Sequence, residues 1–244
     1  MRLRSFLKYI ILLCTISTGI FSFSMPGTEE DIYLAYRVDP AKQSLQLFWK
    51  DDKGQVLQSL GNVKKYAESK NQTLLFAMNG GMYTTDHGPL GLFIQDGKTI
   101  KSVNKRQTAY GNFYMQPNGI FYVDKNNKAA VCRTDNFLNN GRIKYATQSG
   151  PMLVIDGKIH PGFSKGSSNV QIRNGVGILP NGSVLFAMSK TFVNLYDFAT
   201  YFKNQGCKNA LFLDGAICQA YLPEKKWMQT GGDFGVIIGV TKTR

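Results

Sequence analysis

The hydrophobic positions of the chain fall into short runs of strand length, broken repeatedly by glycine, asparagine and aspartate. Residues 32–38 and 44–49 alternate with the two-residue period of a half-buried strand, and the Asp39-Pro40 turn between them predicts an opening hairpin. Residues 62–70 place Val63, Tyr66 and Ala67 on one helical face and predict a helix capped by Asn62. The apolar run 74–78 has the length of a buried strand, and Asn79-Gly80-Gly81 ends it with residues that tolerate positive φ and close backbone approach. Two hairpins follow: 91–94 with 99–103 around Asp96-Gly97, and 119–123 with 129–132 around a polar turn. Residues 151–158 then echo 93–98, and Leu185-Phe186-Ala187-Met188 echoes Leu75-Phe76-Ala77-Met78; shared turn chemistry accounts for these echoes more simply than a duplicated half-domain.

The clearest helix spans 195–205. Asn194 caps it, Asp197 suits its dipole, Leu195, Phe198, Ala199 and Phe202 form its buried stripe, and Gly206 ends it. A short apolar strand, 209–213, runs from there into Asp214-Gly215, and 236–240 reads as the last strand. These elements predict one α+β domain over residues 25–244, built on a mostly antiparallel or mixed β-sheet with a few packed helices.

The N-terminus changes the picture of location. Arg2, Arg4 and Lys8 precede an uncharged, largely apolar run, residues 9–23, and Ser22 and Ser24 supply small residues for cleavage. This is the pattern of a signal peptide over residues 1–24, so the mature chain is expected to be exported, periplasmic or secreted, without stable membrane insertion once the signal is removed. Losing Arg2, Arg4 and Lys8 lowers the formal charge from +13 but leaves a clearly basic protein, which favours an anionic partner. Export and the lack of any nucleic-acid-binding signature point away from DNA or RNA and toward an anionic, phosphate-bearing glycan, a teichoic-type polymer or a lipid headgroup. Cys132, Cys207 and Cys218 remain; Cys207 and Cys218 could pair around the strand between them, and none is placed as a nucleophile. With no CxxC or HExxH motif, no metal or other cofactor is expected.

Chemistry concentrates first in residues 76–93. An apolar strand there meets Asn79, two glycines, Thr84, Thr85, Asp86 and His87 before Gly88-Pro89 turns the chain into a second apolar segment. Asp214 lies at a second strand end and Arg173 at the start of a third glycine-rich strand. Polar groups at several strand ends can share one edge, so Asn79, Asp86, His87, Arg173 and Asp214 are expected to converge on one cleft.

Several of these pieces, in this order, resemble the phosphodiester glycosidase family: Asn79-Gly80-Gly81-Met82-Tyr83, Ser149-Gly150-Pro151, Arg173-Asn174-Gly175-Val176-Gly177, and the helix followed by Leu213-Asp214-Gly215. The resemblance implies hydrolysis of a sugar-1-phosphodiester bond, here in a cell-envelope or exopolysaccharide glycan. Because phosphate is a good leaving group, such a reaction needs a carboxylate at the anomeric carbon more than it needs a strong general acid. The resemblance makes Asp214 that carboxylate, with Asp86 as second candidate, Arg173 as a bidentate grip on phosphate and His87 as a donor to sugar or phosphate. Asn79, Gly80, Ser149, Gly150 and Gly215 are the implied substrate-binding positions. One departure stands out: the family pattern continues after Leu-Asp-Gly with glycine and serine, whereas this chain has Ala216-Ile217-Cys218, which predicts a bulkier pocket. The competing expectation is a non-catalytic binding module for anionic glycans. An esterase or amidase is not favoured, since no GxSxG element occurs.

Overall fold

A computed structural model describes residues 28–244 except Ala216, so the expected signal peptide lies outside the described residues. The chain forms one α+β domain of three sheets, and every strand pairing within them is antiparallel. The first sheet runs β1 (Tyr33–Val38), β12 (Val184–Ser189), β11 (Arg173–Ile178), β13 (Ala210–Gly215), β9 (Met152–Ile155), β10 (Lys158–Ile159). The second runs β15 (Trp227–Met228), β14 (Ala220–Leu222), β3 (Gln72–Gly81), β16 (Val236–Thr243), β2 (Ser44–Phe48). The third runs β5 (Lys98–Lys101), β4 (Phe93–Gln95), β8 (Ile143–Ser149), β6 (Gly119–Asp124), β7 (Ala129–Arg133).

One apolar core joins all three. Phe76 of β3, Phe186 of β12 and Phe121 of β6 meet there, with Phe186 stacked on Phe76 at 5.3 Å and edge-on to Phe121 at 5.8 Å. Truncating one such ring to alanine costs about 3–5 kcal/mol, so these contacts contribute strongly to holding the sheets together. Short α1 (Glu29–Ile32) leads into β1, and two longer helices cover the first and second sheets. α2 (Leu60–Ser69) lays Leu60, Val63 and Ala67 on the second sheet, and α3 (Leu195–Asn204) lays Phe198, Ala199 and Phe202 on the first. A Cβ on Gly177 would come within 2.7 Å of both Phe202 and Cys207, so the glycines of β11 are what let α3 approach the sheet.

The α3 helix follows its predicted start: the Asn194 side chain accepts from the Asp197 N–H at 2.9 Å, and Gly206 takes φ +85° just beyond its end. The cap of α2 is Ser59 rather than Asn62; its hydroxyl accepts from the Asn62 N–H at 3.2 Å. The predicted opening hairpin does not form. Both strands exist, but β1 pairs with β12 in the first sheet and β2 with β16 in the second, because each buries its apolar face against a different partner. The Asp96-Gly97 and Asp156-Gly157 turns do close β4–β5 and β9–β10, with positive φ at all four residues.

All three described cysteines are free. Cys207 packs in the cluster beneath α3 and Cys218 in the central core, so the suggested bridge between them does not form. Burial pushes the thiols up, Cys132 to about 11 and Cys207 to about 12, which suits inert core residues rather than nucleophiles. Excess reductant is therefore expected to leave both the thermal midpoint and any activity unchanged; a lower midpoint on reduction would reveal a bridge.

Candidate active site

Four strand ends, two from the first sheet and one from each of the others, come together through side-chain amides and hydroxyls. Asn79, at the end of β3, is fully buried and is the hub. Asn174 Nδ2 of β11 donates to both the backbone oxygen of Asn79 (2.8 Å) and its Oδ1 (2.9 Å), while Asn174 Oδ1 accepts from the Asp214 N–H at 2.9 Å. Asn79 Oδ1 also accepts from the Gln219 N–H at 3.3 Å. From the third sheet, Thr147 Oγ1 donates to the Gly80 carbonyl at 3.1 Å, and Ser149 Oγ donates to the Leu213 carbonyl. The backbone on either side of Asp214 is thus held by groups from two sheets.

Glycine is required where these strands cross. A Cβ on Gly80 would lie 2.6 Å from Ile238, and one on Gly150 would lie 2.6 Å from Asn118 and 3.0 Å from the Phe113 carbonyl. Gly80 and Gly150 therefore shape the site by the contacts they permit. Gly150 in particular seats the segment that carries Phe113.

Asp214 faces a pocket of about 340 Å³, whose wall is formed by Met82, Tyr83, Leu90, Tyr110, Phe113 and Tyr114, with Gly215 and Ile217 beside the carboxyl. Burial pushes the Asp214 carboxyl up to about 7, against a smaller opposing effect from the Gly215 N–H. Tyr83 is itself pushed up to about 12, first by burial and then by the charges of Asp214 and Asp233. A larger groove of about 640 Å³ runs along the edge of β1, lined in part by exposed Glu29, Arg37 and Glu224, and none of the converging strand ends reaches it.

The expected residues separate by geometry. Asn79, Gly80, Ser149, Gly150, Arg173, Asp214 and Gly215 are brought to the junction of strand ends. His87 joins at one remove: its ring stacks on Tyr83 at 5.5 Å, and its Nε2 is 2.7 Å from Asp233 Oδ1. The Tyr83 hydroxyl donates to the Asp233 carbonyl, so His87 and Asp233 brace Tyr83 from behind. Asp86 closes its own turn instead. Its carboxylate accepts from Thr84 Oγ1 and from the Gly88 N–H, which hold it below the usual carboxylate range.

Arg173 differs most from its expected role. It is only 1% exposed, Nε donates to the Val193 carbonyl at 2.8 Å, and Nη2 donates to the Asn169 carbonyl and Oδ1 at 2.8 and 3.1 Å. The guanidinium lies 5.7 Å from the Phe212 ring centre, and burial lowers its pKa. This arrangement ties the loop before β11 to the approach of α3, beside the Arg173–Gly215 register pair. Cys218 fills the space after Asp214: its thiol donates to the Asp214 carbonyl at 2.7 Å, and burial raises its pKa. Ile217 lines the pocket beside Asp214, and Ala216 lies outside the described residues.

Sequence reasoning passed over Asn174 as a separate contributor, although it stands inside the Arg173-Asn174-Gly175 motif. It also passed over the aromatic wall. Tyr110, Phe113 and Tyr114 fall in a glycine- and asparagine-rich stretch without strand alternation, and that unusual density of rings was the available signal.

A sequence model of the phosphodiester glycosidase family matches residues 72–229, from the start of β3 through β15. The chain belongs to the phosphodiester glycosidase family. Its matched span contains Asn79, Asn174, Asp214 and the whole aromatic wall. Among its relatives, the uncharacterized protein YigE of Escherichia coli (strain K12) is 36% identical over 189 residues, covering 77% of this chain and 73% of YigE. The fold is shared with the catalytic domain of zebrafish N-acetylglucosamine-1-phosphodiester alpha-N-acetylglucosaminidase, solved auto-inhibited by its pro-peptide. The TM-score is 0.54 at 17% identity, over 86% of this chain and 88% of that one. It is shared also with a hypothetical protein from Synechocystis, with a TM-score of 0.51 at 15% identity, over 87% of this chain and 59% of that one. Membership in this family carries a glycosidase-type function. Among the described residues no helix is long and apolar enough to cross a membrane.

Proposed function

We propose that this protein is an exported hydrolase that cleaves a sugar-1-phosphodiester bond in a cell-envelope or exopolysaccharide glycan. The observation that carries this reading is Asp214: a carboxyl pushed up to about 7, at the end of a strand held by Asn174, facing a small aromatic pocket. A pocket of 340 Å³ lies at the low end of the roughly 300–1,000 Å³ typical of ligand sites, which suits a single sugar with its aglycone leaving through the mouth. Aromatic faces suit the apolar faces of a sugar ring, while the basic composition of the chain suits an anionic polymer.

In this mechanism the ionised Asp214 takes a proton from water as the water oxygen bonds to the anomeric carbon. The bond from that carbon to the phosphate oxygen breaks, and its electrons leave on the phosphate monoester. The leaving anion needs no proton, so a second carboxyl acting as general acid is dispensable. A carboxyl whose pKa lies near the working pH is well matched to proton transfer. Export is supported by the N-terminal signal pattern, with residues 25–244 as the working domain.

The test is to incubate the purified protein with methyl phosphodiesters of several hexose-1-phosphates and follow the appearance of reducing sugar. Release of free sugar with methyl phosphate is expected. Saturable binding with no release from any of them would favour the binding-module alternative.

A further inference from the structure

With Arg173 occupied by Val193 and Asn169, the charge of a bound phosphodiester needs another partner, and among the described residues no lysine or arginine lines the Asp214 pocket itself. A guanidinium does stand over the pocket wall. The Cζ of Arg106 lies 5.9 Å from the ring centre of Tyr114, one of the rings lining the pocket. Its Nε donates to the Thr108 carbonyl at 3.1 Å, and its backbone N–H donates to Asn104 Oδ1 at 3.1 Å. Among the described residues it forms no salt bridge, and its two Nη groups have no hydrogen-bond partner.

Its support is fixed at both ends. Gln148, buried on β8 next to Ser149, accepts from the Asn104 N–H at 2.9 Å through Oε1 and donates to the Asn104 carbonyl at 2.8 Å through Nε2. Asn104 Nδ2 in turn donates to the carbonyl of Leu90, a pocket residue, at 3.2 Å. At the other end Phe113 is buried, and its carbonyl accepts from Asn118 Nδ2 at 3.0 Å. Residues 104–113 are thus an arm rooted on the same strand that reaches the site, with Arg106 and the fully exposed Tyr110 displayed along it.

We propose that Arg106 is the anion-recognising residue of this site, taking two phosphate oxygens through its free Nη groups at the mouth while the sugar lies against the aromatic wall. The guanidinium sits within cation–π reach of Tyr114, its Nε is held by the Thr108 carbonyl, and its two Nη groups remain available for the bidentate contact that phosphate recognition uses. The inference rests on the proposed function for its substrate class but is separable from it by experiment, since it concerns binding and not bond cleavage.

The experiment titrates hexose-1-phosphate, and separately the methyl glycoside of the same hexose, into the protein and its variants by calorimetry. Arg106→Ala is expected to weaken hexose-1-phosphate binding by roughly 10- to 100-fold, as for a lost hydrogen-bonded ion contact, and to leave methyl glycoside binding unchanged. Arg106→Lys should recover only part of the loss, because a point charge replaces a fork. The neighbouring exposed Lys105→Ala should bind like the parent protein. Unchanged phosphate binding in Arg106→Ala, or equal losses for both ligands, would overturn the assignment. Failure to cleave any phosphodiester alongside an intact Arg106 effect would remove the hydrolase and keep the anion site; cleavage with no Arg106 effect would do the reverse.

Discussion

Asp214→Asn is expected to abolish turnover while leaving sugar-phosphate binding in place, and also to stabilise the protein above neutral pH. Both effects come from one carboxyl. An asparagine has the same shape and can still accept from the Gly215 N–H, but it cannot take a proton from water, so a loss of about 10²–10⁴-fold in rate is expected. The stability effect follows from where the proton sits. Burial raises the carboxyl from 3.8 to about 7, so the folded protein keeps its proton to higher pH than the unfolded chain does. As pH rises from about 4 to about 7 the unfolded chain ionises first, stability falls across that window, and it levels off above it. At about 1.4 kcal/mol per pKa unit, the folded state carries a penalty of roughly 4 kcal/mol once Asp214 is ionised. The neutral amide escapes it. Urea denaturation of both proteins at pH 4 and pH 8 reads the difference directly: the variant should gain several kcal/mol over the parent at pH 8 and little at pH 4. The parent's rate should climb through about pH 7 as the carboxylate forms. Equal gains at the two pH values would show that the carboxyl is not held protonated, and undiminished turnover would take Asp214 out of the chemistry.

The elements that a linear reading found are those whose determinants are local. α3 has its cap, its stripe and its terminating glycine within thirteen consecutive residues, and the Asp-Gly turns carry their φ requirement in the dipeptide itself. The partners of β1 and β2 were not legible. Each strand's alternation fits any half-buried position, and only the finished core decides that Tyr36 stacks on Phe76 while Leu47 pairs with Ile238 of β16. The same limit governs the site. Strand ends rich in glycine and amide mark Asn79 and Asp214, because the backbone crowding there has a signature in residue type, whereas Ser149 enters only through the family resemblance. The direction in which a long side chain leaves its strand has no such signature. Arg173 is expected to grip a phosphate in the cleft, yet it turns into the protein, where two carbonyls and an aromatic face replace its solvent. Asp86 similarly spends its carboxylate on the turn that contains it.

The second large effect is expected at Asn79 and Asn174, which join two sheets and set the backbone of Asp214. Asn79→Ala removes the acceptor of the Gln219 N–H and one acceptor of Asn174 Nδ2, in a place water does not reach. A buried group left unpaired costs about 1–3 kcal/mol, so a loss of roughly 3 kcal/mol is expected from this variant. Asn174→Ala should cost a similar amount by a different route: it strands the Asp214 N–H and frees Asn79 Oδ1 from one donor. The two losses should not add. The pairing of Asn174 Nδ2 with Asn79 Oδ1 is shared by both variants, and whichever residue is removed first has already broken it, so the double variant should fall short of the sum by roughly 0.5–3 kcal/mol. Asn174→Asp separates the roles of the amide. Its carboxylate can still accept from the Asp214 N–H but has no N–H to give, and it meets two oxygens of Asn79 where a donor stood. That variant is expected to lose stability as the alanine does, and in its folded fraction to retain more turnover than Asn174→Ala because Asp214 keeps its backbone partner. Urea denaturation of the four-protein cycle and turnover per folded molecule make the comparison. Strict additivity, or equal turnover in Asn174→Asp and Asn174→Ala, would mean that the amide pair fills space at the strand crossing and does not position the carboxyl.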